Sequence, residues 1–117
     1  MREIVKEKTS TRDFSKAQEI GVAKDLSGKV VANSGAGKWR KGDVLTKKFL
    51  VECKTKMKDS LSFLINKEWI AKNREEAIGM RKPYSAIAIQ FEPDGDNYYL
   101  IDSKLFKRLI EIVEEDE

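Results

Sequence analysis

Gly42-Asp43-Val44-Leu45-Thr46-Lys47-Lys48-Phe49-Leu50-Val51-Glu52-Cys53-Lys54-Thr55 decides the fold. Asp43-Val44-Leu45 reads as a short strand, Thr46-Lys47-Lys48 as a tight turn and Phe49–Thr55 as its partner strand. Period-2 alternation places Leu50, Glu52 and Lys54 on one face of the second strand, with Phe49, Val51, Cys53 and Thr55 on the other. A Glu and a Lys thus share one face of an otherwise apolar strand, and an Asp begins the strand beside it.

Working outward, the β-branched stretch from Lys29 to Val31 runs into the glycine-rich loop Ala32–Gly37 and reads as a further short strand. Before it, Ser15 is expected to cap a helix with a partly apolar face at Ala17, Ile20, Val22, Ala23 and Leu26, stopped at Ser27-Gly28. Residues 1–14 read as a polar arm. Downstream, Leu61, Leu64, Ile65, Trp69, Ile70, Ala77, Ile78 and Met80 have helical spacing, with Asp59 or Ser60 as the cap and Arg81-Lys82-Pro83 as the end. Tyr84–Phe91 and Tyr98–Ile101 flank a turn at Pro93–Asn97 and form a hairpin. Asp102 or Ser103 then caps a last helix to about Val113, with Leu105, Phe106, Leu109, Ile110 and Val113 expected on its inner side.

The resulting order is α-β-β-β-α-β-β-α. A helix between the third and fourth strands is long enough for a crossover, so that pair can be parallel within a mixed sheet flanked by helices. At 117 residues the chain forms one domain, expected over 15–117 after the arm.

Composition narrows the chemistry. The chain has no His, which removes imidazole bases, Ser-His-Asp catalysis and His-bearing zinc sites. One cysteine, Cys53, allows no internal disulfide, and its place on the strand face away from Glu52 makes it a buried thiol. No apolar run approaches a membrane span and the N-terminus lacks a signal peptide's apolar segment, so a cytoplasmic protein without membrane attachment is expected. The net charge of +3 hides a division: residues 1–58 hold 15 Lys/Arg against 7 Asp/Glu, whereas 59–117 hold 8 against 13.

Asp43 and Glu52 on paired strands can bring two carboxylates together. With the Cys53 backbone carbonyl they make an all-oxygen set suited to a hard divalent cation such as Mg²⁺, with Mn²⁺ as a substitute. A metal there lowers the pKa of bound water and neutralises charge growing on a phosphoryl oxygen. Lys54, about 7 Å along the strand from Glu52, would position that water or stabilise the same charge. Lys54 read alone is also compatible with a strand lysine that discourages edge pairing. Lys38, Arg40, Lys41, Lys47, Lys48, Lys56 and Lys58 bracket the carboxylates; such a run is either a solvated face or a phosphate-contacting one. Trp39 could stack on a sugar-phosphate backbone or cover the core. Ala32–Lys38 lacks the spacing of a nucleotide-binding loop and is followed by Trp39, which excludes nucleoside triphosphate binding of that kind. Its glycines suit close approach of a DNA phosphate.

The sequence resembles the PD-(D/E)xK nuclease superfamily. Within it, the chain is most similar to archaeal-type Holliday junction resolvases, including phage-encoded ones. The resemblance rests on Glu19 in the first helix, Ser34-Gly35-Ala36-Gly37 in the loop, Asp43, and Glu52-Cys53-Lys54-Thr55, about residues 15–58. Gly42 stands where the superfamily's name has Pro, and the basic cluster ahead of the helix Glu is reduced to Arg12 and Lys16. The resemblance implies a restriction-endonuclease-like fold and a Mg²⁺-dependent endodeoxyribonuclease cutting four-way junctions in DNA recombination and repair. It implies metal ligation by Glu19, Asp43 and Glu52, catalytic assistance by Lys54, and Ser34 beside the scissile phosphate. DNA contacts are expected at Arg12, Lys16, Ser34, Gly35, Lys38, Arg40, Lys41, Lys56 and Lys58. The products would carry 5′-phosphate and 3′-hydroxyl ends. Paired cuts call for a homodimer, with interface expected around Phe91, Tyr98, Tyr99, Leu105 and Phe106. The alternatives are a general or restriction-type DNA endonuclease of the same fold, and a non-catalytic nucleic-acid-binding module.

Overall fold

The computed structural model describes residues 11–31 and 43–115, with side chains from Phe14 onward in the first helix. The elements are α1 (Thr11–Leu26), β1 (Lys29–Val30), β2 (Asp43–Leu45), β3 (Phe49–Thr55), α2 (Lys67–Gly79), β4 (Tyr84–Gln90), β5 (Asn97–Leu100) and α3 (Ser103–Glu115). The protein is therefore α/β, and its element order is the expected one. The strands form one five-stranded sheet in the order β1-β2-β3-β4-β5. β3 and β4 are parallel, with Glu52 beside Ile87, and the other neighbours are antiparallel. β4 is buried from Ala86 to Gln90, as a strand covered on both faces requires.

Alternation sorts the core into two layers. Val44, Val51, Cys53, Ala86 and Ala88 meet Val22, Ala23 and Leu26 of α1. Leu50 and Ile87 lie on the opposite face, where α2 contributes buried Asn73 and Ala77, and Asn73 Nδ2 donates to the Ala86 carbonyl (3.0 Å).

Several boundaries differ from expectation. α1 begins at Thr11, so Ser15 is an interior helix residue and not its cap, and residues 11–14 belong to the domain. Nothing in that stretch is a Gly or Pro, and adding a turn to an existing helix is cheap. The structure of residues 1–10, expected as an arm, and of the glycine-rich loop after Val31 lies outside the described residues. α1 ends in a reciprocal pair of bonds, Gly28 N–H to Ala23 O and Ser27 N–H to Lys24 O, with Ser27 in the left-handed region (φ 56°). Gly28 is needed for proximity: a Cβ there would lie 2.5 Å from Leu45 O.

α2 starts at Lys67, not at Asp59 or Ser60. Asn66 is its cap, its side chain accepting from Glu68 N–H (2.8 Å). Ser60 spends its hydroxyl on Ser62, while its N–H donates to Phe91 O, holding the preceding segment as a strap across the end of β4. Leu61 and Leu64 are consequently exposed (103% and 83%). α2 ends at Gly79, two residues before Arg81, through Arg81 N–H to Ile78 O and Lys82 N–H to Ala77 O.

α3 departs most. Asp102 caps it, accepting from Leu105 N–H (2.8 Å), but Leu105 is its only buried residue. Phe106, Leu109, Ile110 and Val113 do not face an interior; Phe106 and Val113 are 57% and 61% exposed. Their helical spacing is real, but the sheet offers no surface beyond the first turn. No described helix is long and apolar enough to cross a membrane.

Candidate functional site

β2 and β3 place Asp43 directly opposite Glu52. Thr46 N–H donates to Phe49 O at the turn, so by alternation Val44 and Val51 form the next hydrogen-bonded pair. Asp43 and Glu52 then form a non-hydrogen-bonded pair, the arrangement in which cross-strand side chains sit closest, with Cα atoms about 4.5 Å apart. Like charges directly opposite one another destabilise a sheet, and here they are also withdrawn from water: Asp43 is 6% exposed. Lys54 offsets part of this, its Nζ lying 3.2 Å from Glu52 Oε2.

The same ammonium stands 4.3 Å from the ring centre of Trp69, on α2. Trp69, Ala71, Glu68, Lys72 and Glu75 line a cleft of about 570 Å³ whose opposite wall is Glu52 and Lys54. Trp69 is held edge-on by Phe63, which packs in turn on Phe91. In the sequence Trp69 is one of a run of apolar residues at helical spacing. Its link to Lys54 arises only when the β3–α2–β4 crossover folds back. Glu68, Lys72 and Glu75 were legible in principle, since their spacing puts them on one helical face.

Glu19 is positioned differently. It stands on α1, the layer that covers Val51 and Cys53, whereas Asp43, Glu52 and Lys54 share the α2 face of the sheet. Partial burial raises the Glu19 carboxyl above its ordinary range, with Lys16 pulling it back. In the α1-side layer lies the Cys53 thiol, pushed far up by burial first and then by the charges of Glu19, Asp43 and Glu52. It is a buried neutral thiol, as its strand parity requires. All three carboxylates bear on Cys53, yet no group of three or more His, Cys, Asp or Glu among the described residues is arranged to hold a metal ion. The fold brings Asp43, Glu52 and Lys54 onto one face of the β2–β3 pair, with Glu19 on α1, and the charges of all three acids reach Cys53.

The donor set on the α2 side still suits a hard cation, being wholly oxygen. By strand alternation Cys53 turns its carbonyl toward the β2 edge, beside the Asp43–Glu52 pair. Of the expected DNA contacts, Lys16 and Lys58 are exposed, and Lys56 lies 5.2 Å from the Phe63 ring. Ser34, Gly35, Lys38, Arg40, Lys41 and the side chain of Arg12 lie outside the described residues.

A buried amide unpredicted from sequence fixes α1 over this region. Gln18 Nε2 donates to Lys54 O (3.0 Å), Ala88 O (3.2 Å) and Asn97 Oδ1 (3.0 Å). Its Oε1 is buried with no partner among the described residues. Comparison with protein-family models, curated proteins and solved structures returned no match.

Proposed function

We propose that the protein is a metal-dependent, structure-selective endodeoxyribonuclease of restriction-endonuclease-like fold, acting on four-way DNA junctions in recombination and repair. The reading is carried by one observation: two carboxylates at directly opposed positions on paired strands, with a lysine on the same face, and with Glu52 and Lys54 lining a cleft. Two carboxylates held at opposed positions can share one cation, which offsets the repulsion between them.

Asp43 and Glu52, with the Cys53 carbonyl, would hold Mg²⁺ or Mn²⁺. The bound ion supplies activation of water and neutralisation of charge on a phosphoryl oxygen. Lys54 carries N–H donors into the cleft where a phosphodiester oxygen would enter, oriented by Glu52 on one side and the Trp69 ring on the other. Lys56, Lys58 and Lys72 provide phosphate-binding charge around it. Paired cuts across a junction need two such sites, which a second copy would bring.

The test is cleavage of a four-way junction with Mg²⁺ by wild type and by D43N, E52Q and K54A. The expected result is nicked-arm products from wild type and none from the carboxylate variants; equal cutting by all would refute the site. Equal turnover of linear duplex would instead favour a general or restriction-type endonuclease. The rival is a non-catalytic nucleic-acid-binding module with the same basic face. Calorimetry with Mn²⁺ separates the two, because that module takes up no metal at Asp43 and Glu52.

A further inference from the structure

We propose that α3 is a dimerisation helix that pairs antiparallel with α3 of a second copy of this chain, its two-fold axis passing near Ile110. The inference does not depend on the nuclease reading, since α3 takes no part in the cleft.

The helix carries two adjacent apolar rows, Leu105-Leu109-Ile112 and Phe106-Ile110-Val113, at the i, i+4, i+7 spacing of a single face. Only Leu105 is covered by the chain's own body, leaving a bare apolar strip along a helix of 13 residues, about 20 Å.

The charges beside that strip identify what covers it. At about 100° per residue, Lys107 and Glu114 flank the apolar rows on one side, and Arg108 and Glu115 flank them on the other. Each flank therefore carries a cation in the first half and an anion in the second. In an antiparallel two-fold pair each flank meets its own copy reversed, so Lys107 faces the partner's Glu114 and Arg108 faces the partner's Glu115. The same register sets Ile110 against Ile110, Leu109 against Ile112 and Phe106 against Val113. A parallel pair would instead set like charges level with one another.

The helix dipole points the same way independently. The first turn of α3 has no acid and the last turn has no base; Lys104 and Lys107 stand near the positive end, Glu114 and Glu115 at the negative end. That order is unfavourable for a solitary helix. An antiparallel neighbour reverses it, placing acids beside the N-terminal half and cations beside the C-terminal half.

Sedimentation of the full chain over the micromolar range is expected to show a dimer. I110E should be monomeric while keeping the wild-type circular dichroism, since residue 110 is not part of the core. K107E or E114K alone should weaken the dimer by about five- to tenfold, two symmetry-related pairs being lost in each, and K107E/E114K together should restore it. Oxidised I110C should form a covalent dimer, while Cys53, being buried, offers no competing thiol. A chain that is monomeric throughout this range, a dimer indifferent to I110E, or a double reversal no tighter than the singles would overturn the proposal. So would a monomer whose α3 binds anionic lipid vesicles. A monomer would also remove the second site that paired junction cuts need, whereas single nicking by the cleft of one copy is unaffected by these outcomes and is assayed separately.

Discussion

The two faces of the β2–β3 hairpin are built from alternate residues of the same strands and meet different fates. Toward α1, Val44, Val51 and Cys53 are buried against Val22 in an apolar layer. Toward α2, the same strands carry a buried Asp43 beside Glu52 and Lys54, and the latter two line a cleft roofed by Trp69. One face contributes to stability through packing; the other tolerates opposed like charges that packing alone would disfavour. A single sheet can thus keep apolar packing and opposed charge one residue apart, separated only by the pleat.

The comparison breaks most sharply at the carboxylates. E52Q and D43N should reduce junction cleavage by about a thousandfold, equal to the several kcal/mol that a held cation contributes to charge stabilisation. On the other face, V51A should cost about 2 kcal/mol by chemical denaturation, mainly as lost burial, and leave Mn²⁺ affinity unaltered by calorimetry. W69L should slow cleavage about fivefold with less change in KM, and W69F should recover most of the rate, because a ring is what Lys54 meets.

The smallest effect tests Glu19, which belongs to the α1 layer. Its folded carboxyl titrates above the ordinary value of 4.5, so wild type is favoured when Glu19 is protonated and loses that contribution as pH rises through this range. In metal-free buffer, E19Q should therefore melt slightly higher than wild type at neutral pH, and the two should converge at about pH 3. A higher wild-type Tm at neutral pH would show Glu19 to be a satisfied ion pair.

The hairpin was legible because alternation and a turn are local signals: Asp43, Glu52 and Lys54 emerge from a short run of residues. The start of α2 was not, since Leu61, Leu64 and Ile65 imitate helical spacing while Ser60 and Asn66 redirect the backbone through their own side chains. The outer face of α3 was misassigned for another reason. Amphipathic spacing shows which residues seek cover, and Phe106 and Val113 do so with no element above them among the described residues. Trp69 and Gln18 were illegible because what they touch is assembled by the crossover and by strands far away in sequence.

Gln18 carries a consequence for the order of events in folding. Its amide bonds to β3, β4 and the Asn97 side chain at the start of β5, across sequence separations of 36, 70 and 79 residues. These acceptors converge only after the crossover has closed and the last hairpin has formed, and closing such long loops is slow. α1, which precedes every strand in the chain, is thus among the last elements to lock. Q18A should speed unfolding far more than it slows refolding, the signature of a contact made after the transition state.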